Sequence, residues 1–352
     1  TNHLDRKSIR WLEEFLFRFP NTVIVVSHDR HFLNQVCTHT ADIDFGRIII
    51  YVGNYDFWYR ASQLHFKQKQ ADSRKMAEKA EELKMFIQRF SANASKSKQA
   101  TSRKKLLEKL TLEDMPVSSR KYPHVVFKPE RACGDVILAI TGLTKTIDGV
   151  KVLDHFELNV RKGDKIAFVG DNALARTTLF RILAGEMEPD SGGYRWGVTI
   201  THAYFPQENS GFFDGELTLI EWLSQYSPPS DGDAFARGFL GKMLFSGEEA
   251  LKKTRVLSGG ERVRCMLSRM MLKGANVLIL DEPTNHLDLE SITALNNGLM
   301  AFSEVVLFAS RDQEFVSTVA NRVIEISDGE AIERNPGFDE DTDAEVDIAE
   351  AG

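Results

Sequence analysis

The sequence predicts an α/β fold over residues 136–327, a mainly parallel sheet flanked by helices, with a long α-helical hairpin ahead of it. Two observations carry the first part. Apolar runs such as KIAFV (165–169) and NVLIL (276–280) have the unbroken hydrophobicity of strands buried on both faces. The first run leads at once into a glycine and then a helical stretch, the strand–loop–helix order of a phosphate-binding unit. A third observation gives the hairpin. Residues 55–90 hold neither Gly nor Pro and are rich in Lys, Gln, Glu and Ala. That composition favours one helix of about 50 Å at 1.5 Å per residue.

The 352 residues suffice for about two domains, and an apolar share of 42% allows a sizeable core. Cys37, Cys133 and Cys265 stand far apart without a CxxC pair, which argues against a disulfide framework or a zinc site and fits a reducing cytoplasm. No apolar run approaches the ~18 residues of a membrane span. Net charge is −7, unevenly spread. Residues 60–121 carry sixteen Lys/Arg against seven Asp/Glu, a local +9 that leaves −16 elsewhere. A basic segment between acidic ones points to a local polyanion contact.

The chain repeats itself. TNHLD stands at 1–5 and again at 284–288, and SHDRHF at 27–32 matches SRDQEF at 310–315, both at an offset of 283. The first copy has nothing before its TNHLD, so the chain is expected to be the later part of a longer protein. What remains of that copy predicts a helix over 8–19, a strand over 22–26, a helix over 30–38 and short strands around 43–51. Residues 91–102 (SANASKSKQATS) read as a hairpin loop, and 99–110 as a second helix bearing Arg103, Lys104 and Lys105. Pro116, Pro123 and Pro129 punctuate the return to a globular domain. The resulting division is 1–54, a remnant of a first unit; 55–130, a basic hairpin; 131–335, a second unit; and 336–352, an acidic tail expected to be disordered.

LSGGE at 257–261 sets two glycines after a serine at a helix start, where backbone N–H groups are exposed to a γ-phosphate. Just downstream, VLILDEPTNHLD (277–288) is an apolar strand ending in paired carboxylates. Asp281 would order Mg²⁺ through water and Glu282 would polarise an attacking water. This pairing resembles the ATP-binding cassette superfamily, a P-loop NTPase fold, in which the two motifs are the signature and the Walker B strand with its D-loop. The resemblance implies ATP and Mg²⁺ as ligands and ATP hydrolysis as the activity. It also implies head-to-tail closure, so that Ser258, Gly259, Gly260 and Glu261 serve a nucleotide held by the other copy.

VGDNALARTTLFRILAG (169–185) stands at the phosphate loop, G-x-x-x-x-G-K-[ST]. Gly170, Asp171, Asn172, Ala173, Leu174, Ala175, Arg176, Thr177 and Thr178 are therefore expected around the phosphates. Gly170, Thr177 and Thr178 fit the pattern. Ala173 and Ala175 replace glycines, and alanine resists φ > 0 by ~1 kcal/mol or more. Arg176 replaces a lysine that acts as a compact point charge, so the swap is not conservative. Ile147 stands where the family stacks an aromatic on adenine, and Arg311 replaces the switch histidine, kept in the first copy as His28. Gln207, in AYFPQ, fits the Q-loop glutamine. The resemblance makes Thr177, Gln207 and Asp281 the Mg²⁺ set.

Twin cassettes joined by a long basic hairpin resemble the ABC-F family. RFSANASKSKQATSR (89–103) and HFLNQVCTHTADIDFG (31–46) resemble its YbiT-like subgroup. The resemblance implies a cytoplasmic protein acting in translation, with the linker entering the ribosome near the P-site tRNA. Contact with rRNA and tRNA would run through Arg89, Lys96, Lys98, Arg103, Lys104 and Lys105, mainly onto phosphates. It implies no membrane domain, and as a further partner the N-terminal cassette half that this chain lacks. Two other readings stay open. One is a catalytically inactive ribosome-binding or regulatory module, or the product of a decaying gene. The other is a transporter ATPase, against which the linker argues.

Overall fold

The computed structural model describes residues 6–44, 46–90, 102–107, 120–228 and 232–334. The first TNHLD, most of the hairpin loop with Lys96 and Lys98, Pro116 and the acidic tail lie outside the described residues. The chain divides into two compact units, one running to Arg120 and one from Lys121.

The first unit holds α1 (Arg6–Arg18), α2 (Arg30–Val36), the antiparallel hairpin β1 (His39–Asp44) and β2 (Arg47–Val52), α3 (Tyr55–Phe90) and a short α4 (102–107). α3 has the bounds that its lack of Gly and Pro predicts. Its start is capped from outside. The Asn54 side chain accepts the Phe57 N–H at 3.2 Å, and Asn34 accepts that of Asp56 at 2.9 Å. Arg103 of α4 lies over the Phe86 ring at 3.7 Å, tying α4 to the last turns of α3.

At the root of α3, Trp58 Nε1 donates to the buried Asp42 at 3.1 Å. The Arg120 guanidinium bonds the same carboxylate, lies 3.8 Å from buried Asp44 and sits over the Trp58 ring at 4.7 Å. One cation thus joins the two ends of the hairpin segment to β1.

The strand expected over 22–26 does not form. These residues are irregular, with Ile24 89% and Val26 93% exposed. A strand needs ladder partners, and the described residues of this unit hold no sheet besides β1–β2. The matching run in the second copy, Val305–Ala309, is buried throughout because strands flank it on both sides.

The second unit contains two sheets. β3 (Leu138–Ile147), β4 (Val150–Val160) and β6 (Ser191–Trp196) form an antiparallel sheet in the order β4-β3-β6. The main sheet joins β5 (Lys165–Val169), β7 (His202–Phe205), β8 (Val277–Asp281), β9 (Val305–Ala309), β10 (Arg322–Ser327) and β11 (Glu330–Arg334) in the order β11-β10-β5-β9-β8-β7. All its pairings are parallel except β10–β11. The helices are α5 (Ala173–Leu183), α6 (Leu219–Ser224), α7 (Gly232–Lys242), α8 (Gly259–Leu272), α9 (Leu289–Ala301) and α10 (Gln313–Val319).

Alternation along the central strands sorts the core into two layers. Leu278, Leu280, Val306 and Phe308 face α6 to α9, while Val277, Ile279, Val305 and Leu307 face α5 and the antiparallel sheet. β8 and β9 are buried along their whole length, so they read as continuous apolar runs. This is the α/β cassette architecture that the strand–loop–helix order predicts.

Residues 27–52 of the first unit and 310–334 of the second share one local pattern. Asp29 caps α2 by accepting from Phe32 N and itself donates its N–H to Ser27 Oγ; Asp312 does the same for α10 with Phe315 and Ser310. The starts of α2, β1 and β2 are matched 283 residues later by those of α10, β10 and β11.

Candidate nucleotide site

The C-terminal ends of β5, β8 and β9 bring the motif residues to one edge of the parallel sheet. Gly170 follows β5 with φ +112, and a Cβ there would lie 2.7 Å from the Ile326 carbonyl of β10. Only glycine allows that approach.

The next residues do not form an open loop. Asn172 caps α5, its side chain accepting the Ala175 N–H at 3.1 Å, and the helix begins at Ala173. Ala173 N donates to the Asp171 carbonyl, and Ala175 N and Arg176 N donate to that of Asn172. Ala173 and Ala175 thus take part in a helical start, the conformation that alanine prefers. An asparagine just ahead of an alanine-rich run is the signal that could have foretold this cap.

Arg176 is buried, and its guanidinium bonds the Gly170 carbonyl of its own loop. Its Nη2 lies 3.7 Å from Glu282 Oε1. Glu282 follows β8 in a left-handed conformation, φ +50, and is 4% exposed. Its Oε2 accepts the Arg311 N–H at 3.2 Å, and Arg311 Nε stands 3.9 Å from Oε1. The Thr284 and Ser310 hydroxyls pair at 2.9 Å and hold the same two loops together.

The expected Mg²⁺ donors also converge. Thr177 Oγ1 donates to Asp281 at 2.7 Å and lies 3.4 Å from Gln207 Oε1. Burial pushes the Asp281 carboxyl up to about 6. The Glu282 charge adds to this, while the Thr177 hydrogen bond and the Arg176 charge oppose it. One carboxylate, one hydroxyl and one amide suit a cation that takes its other ligands from phosphate and water. Among the described residues no group of three His, Cys, Asp or Glu could hold a metal by itself.

The expected signature residues lie at the start of α8. Ser258, exposed at the N-cap, closes α8 in a capping box with Glu261, at 3.3 and 2.8 Å, and Gly259 and Gly260 behind it are half-buried. Burial works against the Glu261 carboxylate, but hydrogen bonds from Lys252 and Ser258 hold it below its ordinary range. Gly259 and Gly260 pack on His286, where a Cβ on Gly260 would come within 2.9 Å of the His286 carbonyl. His286 and Lys252 support the signature without having been singled out in the sequence; neither residue type carries a signal for that role.

The remaining candidates are dispersed. Thr178 is buried in α5, and Leu174 is exposed on it. Ile147 ends β3, pairs with Val150 and packs on the apolar core. His28 is exposed just ahead of α2 in the first unit. Arg89, Arg103, Lys104 and Lys105 are exposed on α3 and α4.

Two family models, both described as ABC transporter, match residues 41–127 and 153–285. YkpA of Bacillus subtilis, named as an ABC transporter ATP-binding protein, is 63% identical over 97% of this chain and 63% of its own. The protein YbiT of Escherichia coli O157:H7 is 40% identical over 97% of this chain and 64% of its own. The energy-dependent translational throttle protein EttA of Haemophilus influenzae is 32% identical over 93% and 59%. The chain therefore spans about three fifths of the length of these relatives. A solved metal-chelate type ABC transporter, in an inward-facing conformation, has the same fold, with a TM-score of 0.50 at 19% identity over 60% of this chain and 88% of that one. Among the described residues no helix is long and apolar enough to cross a membrane. Sequence, fold and the assembled motifs agree that the chain belongs to the YbiT-like ABC-F proteins of the ATP-binding cassette superfamily.

Proposed function

We propose that this chain is the later part of a twin-cassette ABC-F protein that acts on the ribosome in the cytoplasm. Its linker contacts RNA, and the nucleotide site carried by residues 170–178 is impaired. The observation that supports the translational reading is α3, a 36-residue helix of the first unit with Arg89 exposed in its last turn, followed by α4 with Arg103, Lys104 and Lys105 exposed. EttA, a relative 32% identical over 93% of this chain, is named as a translational throttle. Arg89, Lys96, Lys98, Arg103, Lys104 and Lys105 neutralise phosphates of rRNA and of the P-site tRNA. Affinity then falls steeply with salt, by a slope of about −0.7 to −0.9 per phosphate.

ATP with Mg²⁺ remains the ligand of the family. In this chain Thr177, Gln207 and Asp281 fit the metal, whereas the phosphate cradle does not fit its ligand. The amides of Ala173, Ala175 and Arg176 are spent inside the loop, and Arg176 is turned onto Gly170 and Glu282. With Ile147 in place of an aromatic and Arg311 in place of the switch histidine His28, four contacts are altered. Each such contact is typically worth ~1–4 kcal/mol, so binding and turnover fall by several decades. Ser258, Gly259, Gly260 and Glu261 stay competent and close on nucleotide held by the other cassette, whose phosphate loop this chain does not carry. ATP hydrolysis by the whole protein then belongs to that other site.

The Arg176 geometry also favours a second reading, a ribosome-binding module without catalysis. A transporter subunit is the third reading and predicts membrane association. Co-sedimentation separates them. The chain is expected to pellet with ribosomes at low salt and to leave them as salt rises. The variant Lys96→Glu, Lys98→Glu, Arg103→Glu, Lys104→Glu should lower the salt slope by up to about 3. Unchanged ribosome binding in that variant, or recovery with membranes instead, contradicts the proposal.

A further inference from the structure

We propose that an internal ion cluster, Arg176–Glu282–Arg311, stands in for the nucleotide's terminal phosphate in this cassette and couples the phosphate loop to the switch loop permanently, without a ligand. The inference rests on the reading that the site at 170–178 is impaired and says what replaces its function.

Glu282 is the centre of the cluster. Buried and left-handed, it receives Arg176 Nη2 at 3.7 Å and Arg311 Nε at 3.9 Å on one oxygen, and the Arg311 N–H at 3.2 Å on the other. Arg176 reaches back to the Gly170 carbonyl. The end of β5, the first turn of α5, the end of β8 and the loop after β9 are thus joined by one carboxylate and two guanidiniums. A nucleotide phosphate would join the same segments from outside, through free loop amides and an unengaged cation. Here those amides already bond Asp171 and Asn172, and the Arg176 cation already faces a buried carboxylate.

Arginine suits this task better than lysine. Its planar fork can donate to the Gly170 carbonyl with one nitrogen while the other faces the Glu282 carboxylate at 3.7 Å, whereas an ammonium is a single strongly hydrated point. The two replacements, Arg176 and Arg311, also make sense together. A second guanidinium compensates a buried carboxylate that would otherwise face Asp281 across one peptide bond. The left-handed strain at Glu282 persists because both its oxygens are held.

The consequence separates this carboxylate from an idle catalytic one. An unused catalytic Glu in a strained, buried position is expected to be neutral to stability or to cost it. A Glu at the centre of an ion cluster stabilises, because its loss leaves a buried Arg176 without its carboxylate.

The test is thermal unfolding of the full chain without nucleotide, in a cycle of Glu282→Gln, Arg176→Met and the double variant. Each single change should lower Tm by several degrees, and the double variant should lose clearly less than the sum. An unchanged or raised Tm in Glu282→Gln, or strict additivity in the double variant, overturns the cluster.

Amide hydrogen exchange on the unaltered chain gives a second readout that does not depend on any variant folding. Ala173, Ala175, Arg176 and Arg311 should be protected without nucleotide, and ATP·Mg²⁺ should leave that protection unchanged. Rapid exchange at these amides while ATP also fails to bind overturns the cluster alone. Protection gained only on tight ATP binding overturns the impaired-site reading with it.

Discussion

Asp281 lies 1% exposed at the end of β8, with its carboxyl raised to about 6 from 3.8. A carboxyl whose folded-state value lies above its unfolded one favours folding in its protonated form. That stabilisation is full below about pH 4 and is lost as pH rises through about 6. Near pH 7 the ionised group therefore costs on the order of 2–3 kcal/mol at ~1.4 kcal/mol per pH unit. Asp281→Asn keeps an acceptor for the Thr177 hydroxyl and removes the charge. It should unfold at a higher temperature than the parent at pH 7, with the gain shrinking to nothing by about pH 4. Equal melting of the two proteins at pH 7 would contradict the buried, desolvated placement.

At the same scale the sequence marked candidate residues, but not how they pair. Ala173, Ala175 and Arg176 announced themselves as departures because a phosphate loop has a fixed spacing. Their new arrangement depends on Asn172 capping a helix and on Arg176 meeting Glu282, a residue more than a hundred positions away. Contacts across such separations leave no local trace in the sequence.

Among the elements, α3 was legible to the residue because a helix needs only local permission, and residues 55–90 grant it throughout. The run 22–26 shows the opposite case. TVIVV has every local mark of a buried strand, yet a strand is made by its neighbours, and among the described residues of its unit it has none to pair with.

The base of the hairpin segment depends on Arg120 in the same non-local way. Arg120→Ala leaves Asp42 and Asp44 buried without their cation and removes its stacking on Trp58. It should destabilise the first unit by about 3 kcal/mol or more, read as a lower denaturant midpoint. Arg120→Lys should recover only part of that, because one ammonium cannot serve two carboxylates and a ring face. Wild-type stability in the alanine variant would mean that the root is held by other contacts.

The whole molecule sets a strongly basic hairpin segment against acidic remaining parts, a pattern visible in the charge count alone. Its fold class was readable too, because parallel strands buried on both faces and the loop after KIAFV leave few other architectures. What the molecule does with nucleotide was readable only as a conflict, between an intact signature and carboxylate pair and a phosphate loop that departs at three positions. The structure turns that conflict into geometry, with the loop amides and the Arg176 cation engaged internally.

The direct test is equilibrium binding of ATP with Mg²⁺ to this chain and to the variant Ala173→Gly, Ala175→Gly, Arg176→Lys. The account predicts weak or undetectable binding by the unaltered chain and a gain of at least about a hundredfold in the restored loop. The gain reflects freed amides and a point charge that no longer forks between Gly170 and Glu282. Tight binding by the unaltered chain, with no gain on restoration, would contradict it.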